Sequence, residues 1–143
     1  MRLRCEPAVQ ALDYVGAEAA RPVPEVIDML GGEDLRAVVI CPSNPFLSIE
    51  PILAIPGMRT AIANCRAPVV AVSPVIAGQA VKGPTTKMMR ELGLAASASA
   101  VACRYADLLD AFVVDEADAA MAAPEGVRLV TARTLMTCLA DRR

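Results

Sequence analysis

The sequence predicts a three-layer α/β domain built on a mainly parallel sheet, and three observations carry this. Continuous apolar runs over 37–41 (AVVIC) and 69–72 (VVAV) lack polar alternation, as do strands covered by helices on both faces. Helix-patterned stretches separate the strand-like runs, the rhythm of a parallel sheet. Polar loops follow both runs, at the place where open α/β sheets hold their ligands.

Taken in order, residues 2–15 alternate weakly and are interrupted by Pro7, which predicts an extended edge segment. Residues 24–30 read as a short helix with Pro24 in its first turn, closed by Gly31-Gly32. The strand over 37–41 is followed by a crossover helix over 57–65 and the strand over 69–72. A helix starting near Pro84 runs through Met88, Met89 and Leu92 to Gly93. Residues 99–110 place Val101, Tyr105, Leu108 and Leu109 at helical spacing, an amphipathic face. Strands over 112–114 and 127–130 and a closing helix over 134–139 complete the chain, with no internal repeat and no low-complexity tail.

The 143 residues fit a single domain, 1–143, with a core of Ala, Val, Leu, Ile and Met, since aromatics are only 3%. A formal net charge of -2 argues against nucleic acid as a partner but leaves small anions open to a local basic cluster. No apolar run approaches a membrane span and the amino terminus has no signal pattern, so the expected location is cytoplasmic. The 5 cysteines are scattered without a C-x-x-C pair, as reduced thiols are. Histidine is absent, which removes Ser-His-Asp and Cys-His catalysis and histidine zinc sites from this chain.

The strongest candidate site is Lys82-Gly83-Pro84-Thr85-Thr86-Lys87. Pro84 suits the start of a helix, whose unpaired N–H groups, positive dipole end and threonine hydroxyls form a phosphate-binding combination. Lys82 and Lys87 are unfavourable against that dipole unless an anion offsets them. The plainer reading is a solvated helix start. Lys82 precedes Gly83, so this is not a P-loop.

A second candidate is Ser43-Asn44-Pro45 with Ser48, and Ser73, which follows the other strand, is expected at the same sheet edge as Ser43. Ser48, ahead of Ile49-Glu50-Pro51, is expected as a helix N-cap. Asn44 is held extended by Pro45, and its amide either reads a ligand carbonyl or ribose or braces the loop. Asp115-Glu116-Ala117-Asp118 spells a Walker B tetrapeptide without a P-loop to pair with. A carboxylate there suits Mg²⁺ in principle, but the favoured role is to start the next helix, and no metal ligand is assigned.

Motifs through these loops carry a resemblance. Cys41-Pro42-Ser43-Asn44-Pro45, Ser48-Ile49, Pro51-Ile52-Leu53 and Ile55-Pro56-Gly57 are similar to the 2-phospho-L-lactate transferase family of coenzyme F-420 biosynthesis. Bacterial members of that family are phosphoenolpyruvate transferases. The stretches 67–74 (APVVAVSP), 80–84 (AVKGP), 87–89 (KMM) and 112–118 (FVVDEAD) continue it in family order, from about Val9 almost to the end.

The resemblance implies a Rossmann-like fold of which this chain carries the carboxyl-terminal part. Family members are longer, and their amino-terminal half, with its glycine-rich first βα turn and acidic substrate-binding residues, has no counterpart here. It further implies transfer of a 2-phospho-L-lactate or phosphoenolpyruvate moiety from a guanosine-diphospho donor to the deazaflavin precursor's terminal ribityl hydroxyl. GMP would be released, and Mg²⁺ would take part through ligands outside this chain. Substrate contacts are then expected from Ser43, Asn44, Ser48, Ser73, Lys82, Gly83, Thr85, Thr86 and Lys87. No catalytic base is named, and a homodimer is a possible assembly. Two alternatives stand beside this: a non-catalytic regulator of the same superfamily that binds nucleotide-sugars, and an inactive truncated product.

Overall fold

The computed structural model describes residues 6–142. Helix α1 spans Pro24–Gly31 with Pro24 in its first turn, and the Gly32 N–H closes it on the Met29 carbonyl. Strand β1 is Val38–Ile40, inside the expected run. Helix α2 (Glu50–Leu53) and helix α3 (Met58–Ala63) make the crossover to β2 (Val69–Val72). Gly57 precedes α3 with φ of 85°, a left-handed entry that a side chain would strain. After β2 comes a hairpin not foreseen in the sequence, β3 (Val75–Ile76) against β4 (Gln79–Ala80). Helices α4 (Thr85–Glu91) and α5 (Ala98–Arg104) lead to β5 (Ala111–Asp115), and β6 (Arg128–Ala132) ends the sheet.

Four strands, in the order β1-β2-β5-β6, form one sheet in which every pairing is parallel. Ile40, Val69, Ala71, Phe112 and Val114 point to one face and are buried there with Leu53, Met58, Ile62, Met88, Met89, Val101 and Ala102 from α2 to α5. The fold is therefore α/β with a mainly parallel sheet. Of the three expected layers, the described residues supply two, because their helices share one face of the sheet.

Several expected elements need correction. Of residues 2–15, the first four lie outside the described residues, and 6–14 form no strand. They run instead as a strap across α4. The Val9 N–H donates to Glu91 Oε2 at 3.0 Å, and Lys87 Nζ donates to the Pro7 carbonyl at 2.9 Å. Ser48 is not an N-cap. Asn44 takes that role, its Oδ1 accepting from the N–H groups of Phe46 and Leu47, and Ser48 lies exposed inside the wide helical turn Pro45–Ile49.

Helix α5 begins earlier than expected, capped by Ser97, and stops at Arg104 rather than 110. The apolar residues of the longer pattern, Tyr105, Leu108 and Leu109, are buried all the same, in the turn that follows. No helix forms over 134–139. Residues 133–137 take no regular secondary structure, with a short 3-10 turn at Leu139–Arg142. No helix among the described residues is long and apolar enough to cross a membrane.

Candidate functional site

Parallel pairing of β1 with β2, and of β5 with β6, carries the loops after each strand to one edge of the sheet. Ser43 and Ser73 follow neighbouring strands there. At this edge the structure opens a crevice of about 250 Å³. Pro42 and Asn44 enter it after β1, Ser73 and Pro74 after β2, and Thr134 to Met136 after β6, while Lys82 and Thr85 close it from the start of α4. Strand-end crevices of this kind hold ligands in open α/β sheets. Its volume is below the roughly 300–1,000 Å³ of pockets that enclose a whole small molecule, so it suits part of a ligand.

Each polar residue reaches the crevice for a local reason. Asn44 is extended ahead of Pro45, at φ of -60° and ψ of 119°. Its Oδ1 caps the following turn at 2.9 and 3.1 Å, and its Nδ2 donates to Met88 Sδ at 3.5 Å. One amide donor remains after that bond. Ser73 is buried, and its hydroxyl donates to the Val75 carbonyl at 2.7 Å and accepts from the Val75 N–H at 3.2 Å. Ser73 thus shapes the loop, and its hydroxyl has no proton left to donate to a ligand. Thr85 is buried in the first turn of α4. Gly83 turns the chain into that helix with φ of 75°.

Lys82 is exposed and, among the described residues, is the one charged side chain lining the crevice. No carboxylate pairs with it among the described residues. A lone cation among neutral polar groups favours an anion. Lys87 does otherwise: its Nζ is 2.5 Å from Glu91 Oε1 and holds the strap through Pro7. It borders a separate apolar hollow with Val9, Leu12 and Met88. Of the nine residues singled out in the sequence, the structure brings Asn44, Ser73, Lys82 and Thr85 together. Ser43, Gly83 and Thr86 are adjacent in the chain without lining the crevice, whereas Ser48 and Lys87 point to other uses.

The wall formed by Thr134, Leu135 and Met136 had no signal in the sequence. Asp115, at the end of β5, builds it: Oδ2 accepts from the Thr134 N–H, the Thr134 hydroxyl and the Leu135 N–H. Oδ1 accepts from the Ala117 N–H at 3.2 Å and starts the short turn Glu116–Asp118, the helix-start role expected of this acidic run. Hydrogen bonds from Ala117 and then Thr134 hold the Asp115 carboxyl below the ordinary carboxylate range. Asp118 is likewise engaged, accepting from the Ala77 N–H at 2.9 Å.

These residues do not make a Mg²⁺ site. Among the described residues the crevice lining has no carboxylate, and Asp115 lies outside it, accepting three of the chain's own donors on Oδ2 and one on Oδ1. No group of 3 or more His, Cys, Asp or Glu side chains suited to a metal comes together among the described residues. A cation held by carboxylates would need them from elsewhere.

A protein-family model described as 2-phospho-L-lactate transferase CofD matches residues 2–132. The phosphoenolpyruvate transferase of Streptomyces griseus is 42% identical over 120 residues, which are 83% of this chain and 37% of the relative. The 2-phospho-L-lactate transferase of Methanosarcina barkeri is 42% identical over 135 residues, 92% of this chain and 42% of the relative. The phosphoenolpyruvate transferase of Mycolicibacterium smegmatis is 37% identical over 142 residues. The chain spans about two-fifths of the length of these relatives.

Proposed function

The chain belongs to the 2-phospho-L-lactate transferase family, and on that premise we propose that it supplies the phosphate-gripping wall of a transferase in coenzyme F-420 biosynthesis. The donor is a guanosine-diphospho-lactate or guanosine-diphospho-enolpyruvate, and the acceptor is the deazaflavin precursor. The acceptor's terminal ribityl oxygen bonds to the β phosphorus while the bridging P–O bond breaks. GMP leaves with that electron pair, and the acceptor hydroxyl gives up its proton. Such a reaction depends chiefly on orientation and on neutralising charge at the phosphates.

This chain's part is the second of those. Lys82 offsets phosphate charge, the free amide donor of Asn44 orients an oxygen, and the buried Ser73 turn fixes the loop between them. The observation that carries the reading is the convergence of Asn44, Ser73, Lys82 and Thr85, from separate loops, on one strand-end crevice in which Lys82 is the single unpaired cation among the described residues. Mg²⁺ and the proton acceptor belong to residues outside this set. The test is a nuclear magnetic resonance titration of the chain with guanosine diphosphate. Amide shifts should cluster at Asn44, Ser73, Lys82, Thr85 and residues 134–136; shifts confined to any other surface would refute the site.

A further inference from the structure

Among the described residues, one face of the sheet is covered by helices and the other is not. Val39, Val70 and Ala111 are in register across β1, β2 and β5, as are Val72, Val113 and Val130 across β2, β5 and β6. Residues in register on adjacent strands share a face, and their neighbours along each strand point the other way. Those neighbours form the core. Val39 is 58% exposed and Val130 38%, with the other members of the set half-buried. Among the described residues, none of these side chains packs against the core.

Topology explains why the face is bare. Sheet order follows chain order, so each crossover steps in the same direction, and right-handed crossovers then deliver their helices to the same side. All-parallel sheets occur almost only with both faces covered. A patch of valines on a central sheet marks a surface that meets another element.

We propose that this valine face docks a helical layer from the portion of the transferase that the relatives carry and this sequence does not, whether on the same polypeptide or a separate one. The inference rests on the functional reading above. Length identifies the occupant: the matched part is 37% of the Streptomyces griseus relative and 42% of the Methanosarcina barkeri one, leaving about three-fifths of each chain to cover it. The partner surface is apolar opposite the valines. A carboxylate at its rim fits Arg128, which is exposed beside Ala111 in the same register. Two copies meeting through these few small side chains alone fall well short of the about 800 Å² per partner of a stable interface.

The test co-expresses this chain with a tagged polypeptide comprising the part of the Methanosarcina barkeri relative outside its match, and measures co-purification. The unaltered chain should co-purify, Val39→Asp and Val130→Asp should reduce recovery at least tenfold, and Val15→Asp, at a 90% exposed residue elsewhere, should leave it unchanged. A Val39→Cys variant covers the case in which the aspartates unfold the sheet: its thiol should react with maleimide in the chain alone and be protected in the complex. Equal recovery of all variants, failure of the unaltered chain to co-purify, or pairing of the chain with itself through this face would each overturn the proposal. Transfer activity of the complex is a separate readout. A complex without turnover refutes the functional reading and leaves the docking intact, while turnover insensitive to the face variants does the reverse.

Discussion

Asp115 Oδ2 accepts hydrogen bonds from both the backbone N–H and the hydroxyl of Thr134, at 3.0 and 3.1 Å. One carboxylate at the end of β5 therefore fixes the segment after β6 as a wall of the crevice. Its two oxygens accept four of the chain's own donors, three on Oδ2 and one on Oδ1.

That relationship has a pH signature. Donors from Ala117 and Thr134 depress the folded pKa of Asp115 below its ordinary 3.8, so its contribution is present above that value. It is lost as pH falls through the depressed folded value. Other acidic groups respond in the same range, Asp107 and Asp141 among them, but equally in the unaltered chain and in an Asp115→Asn variant. Urea midpoints measured between about pH 5 and pH 2 should fall more steeply for the unaltered chain, because the variant has no such carboxylate to protonate. Parallel curves would show that Asp115 contributes nothing.

Asn44 has two separable roles. Asn44→Ala removes an N-cap and should cost about 1 kcal/mol in chemical denaturation. Asn44→Asp keeps the cap but adds a negative charge to the crevice that Lys82 lines, so stability should hold while guanosine diphosphate binding weakens several-fold. Retained affinity in the aspartate variant would mean that the amide does not face the ligand.

Lys87 and Ser48 should both be silent in binding. Lys87→Ala frees the strap held through Glu91 and Pro7, and the Val9 amide should then exchange hydrogen faster. Ser48→Ala alters an exposed side chain that caps no helix and should shift stability by less than about 0.5 kcal/mol. Loss of ligand affinity in either variant would restore that residue to the site.

The chain by itself should not carry out the transfer. Its crevice has room for part of a ligand, and among the described residues its lining has no carboxylate for a metal or a proton. The purified chain, incubated with deazaflavin precursor, guanosine-diphospho donor and Mg²⁺, should release no GMP above background. Turnover at a rate comparable with the Methanosarcina barkeri relative would make it a minimal transferase.

The strands at 37–41 and 69–72 were legible because unbroken apolar β-branched runs have few other uses in a short chain. Pro24 and Pro84 marked helix starts for an equally local reason, as proline lacks the N–H that a first turn leaves unpaired. Long-range hydrogen bonds decided what was missed. The Val69 N–H takes Asp110 Oδ2 at 2.7 Å, which requires the chain to leave α5 early and turn at 105–108. Over 134–138 the N–H groups of Thr134 and Leu135 go to Asp115, and those of Thr137 and Cys138 go to Asp141, contacts with distant or later residues that no local pattern announces. The β3–β4 hairpin turns on Ala77-Gly78, with φ of 48° and 74°, where an Asn-Gly pair would have announced it. Of the site, the loop positions were readable, but which hydroxyls were already spent was not.

The central claim is that Lys82 holds a phosphate in the strand-end crevice, and calorimetric titration with guanosine diphosphate tests it most directly. Charge-assisted hydrogen bonds contribute about 1.5–3 kcal/mol, so Lys82→Ala should weaken binding at least several-fold. Arg21→Ala, at an exposed cation away from the crevice, should leave it unchanged. Equal affinities for the two variants would contradict the account and return Lys82 to the solvated surface.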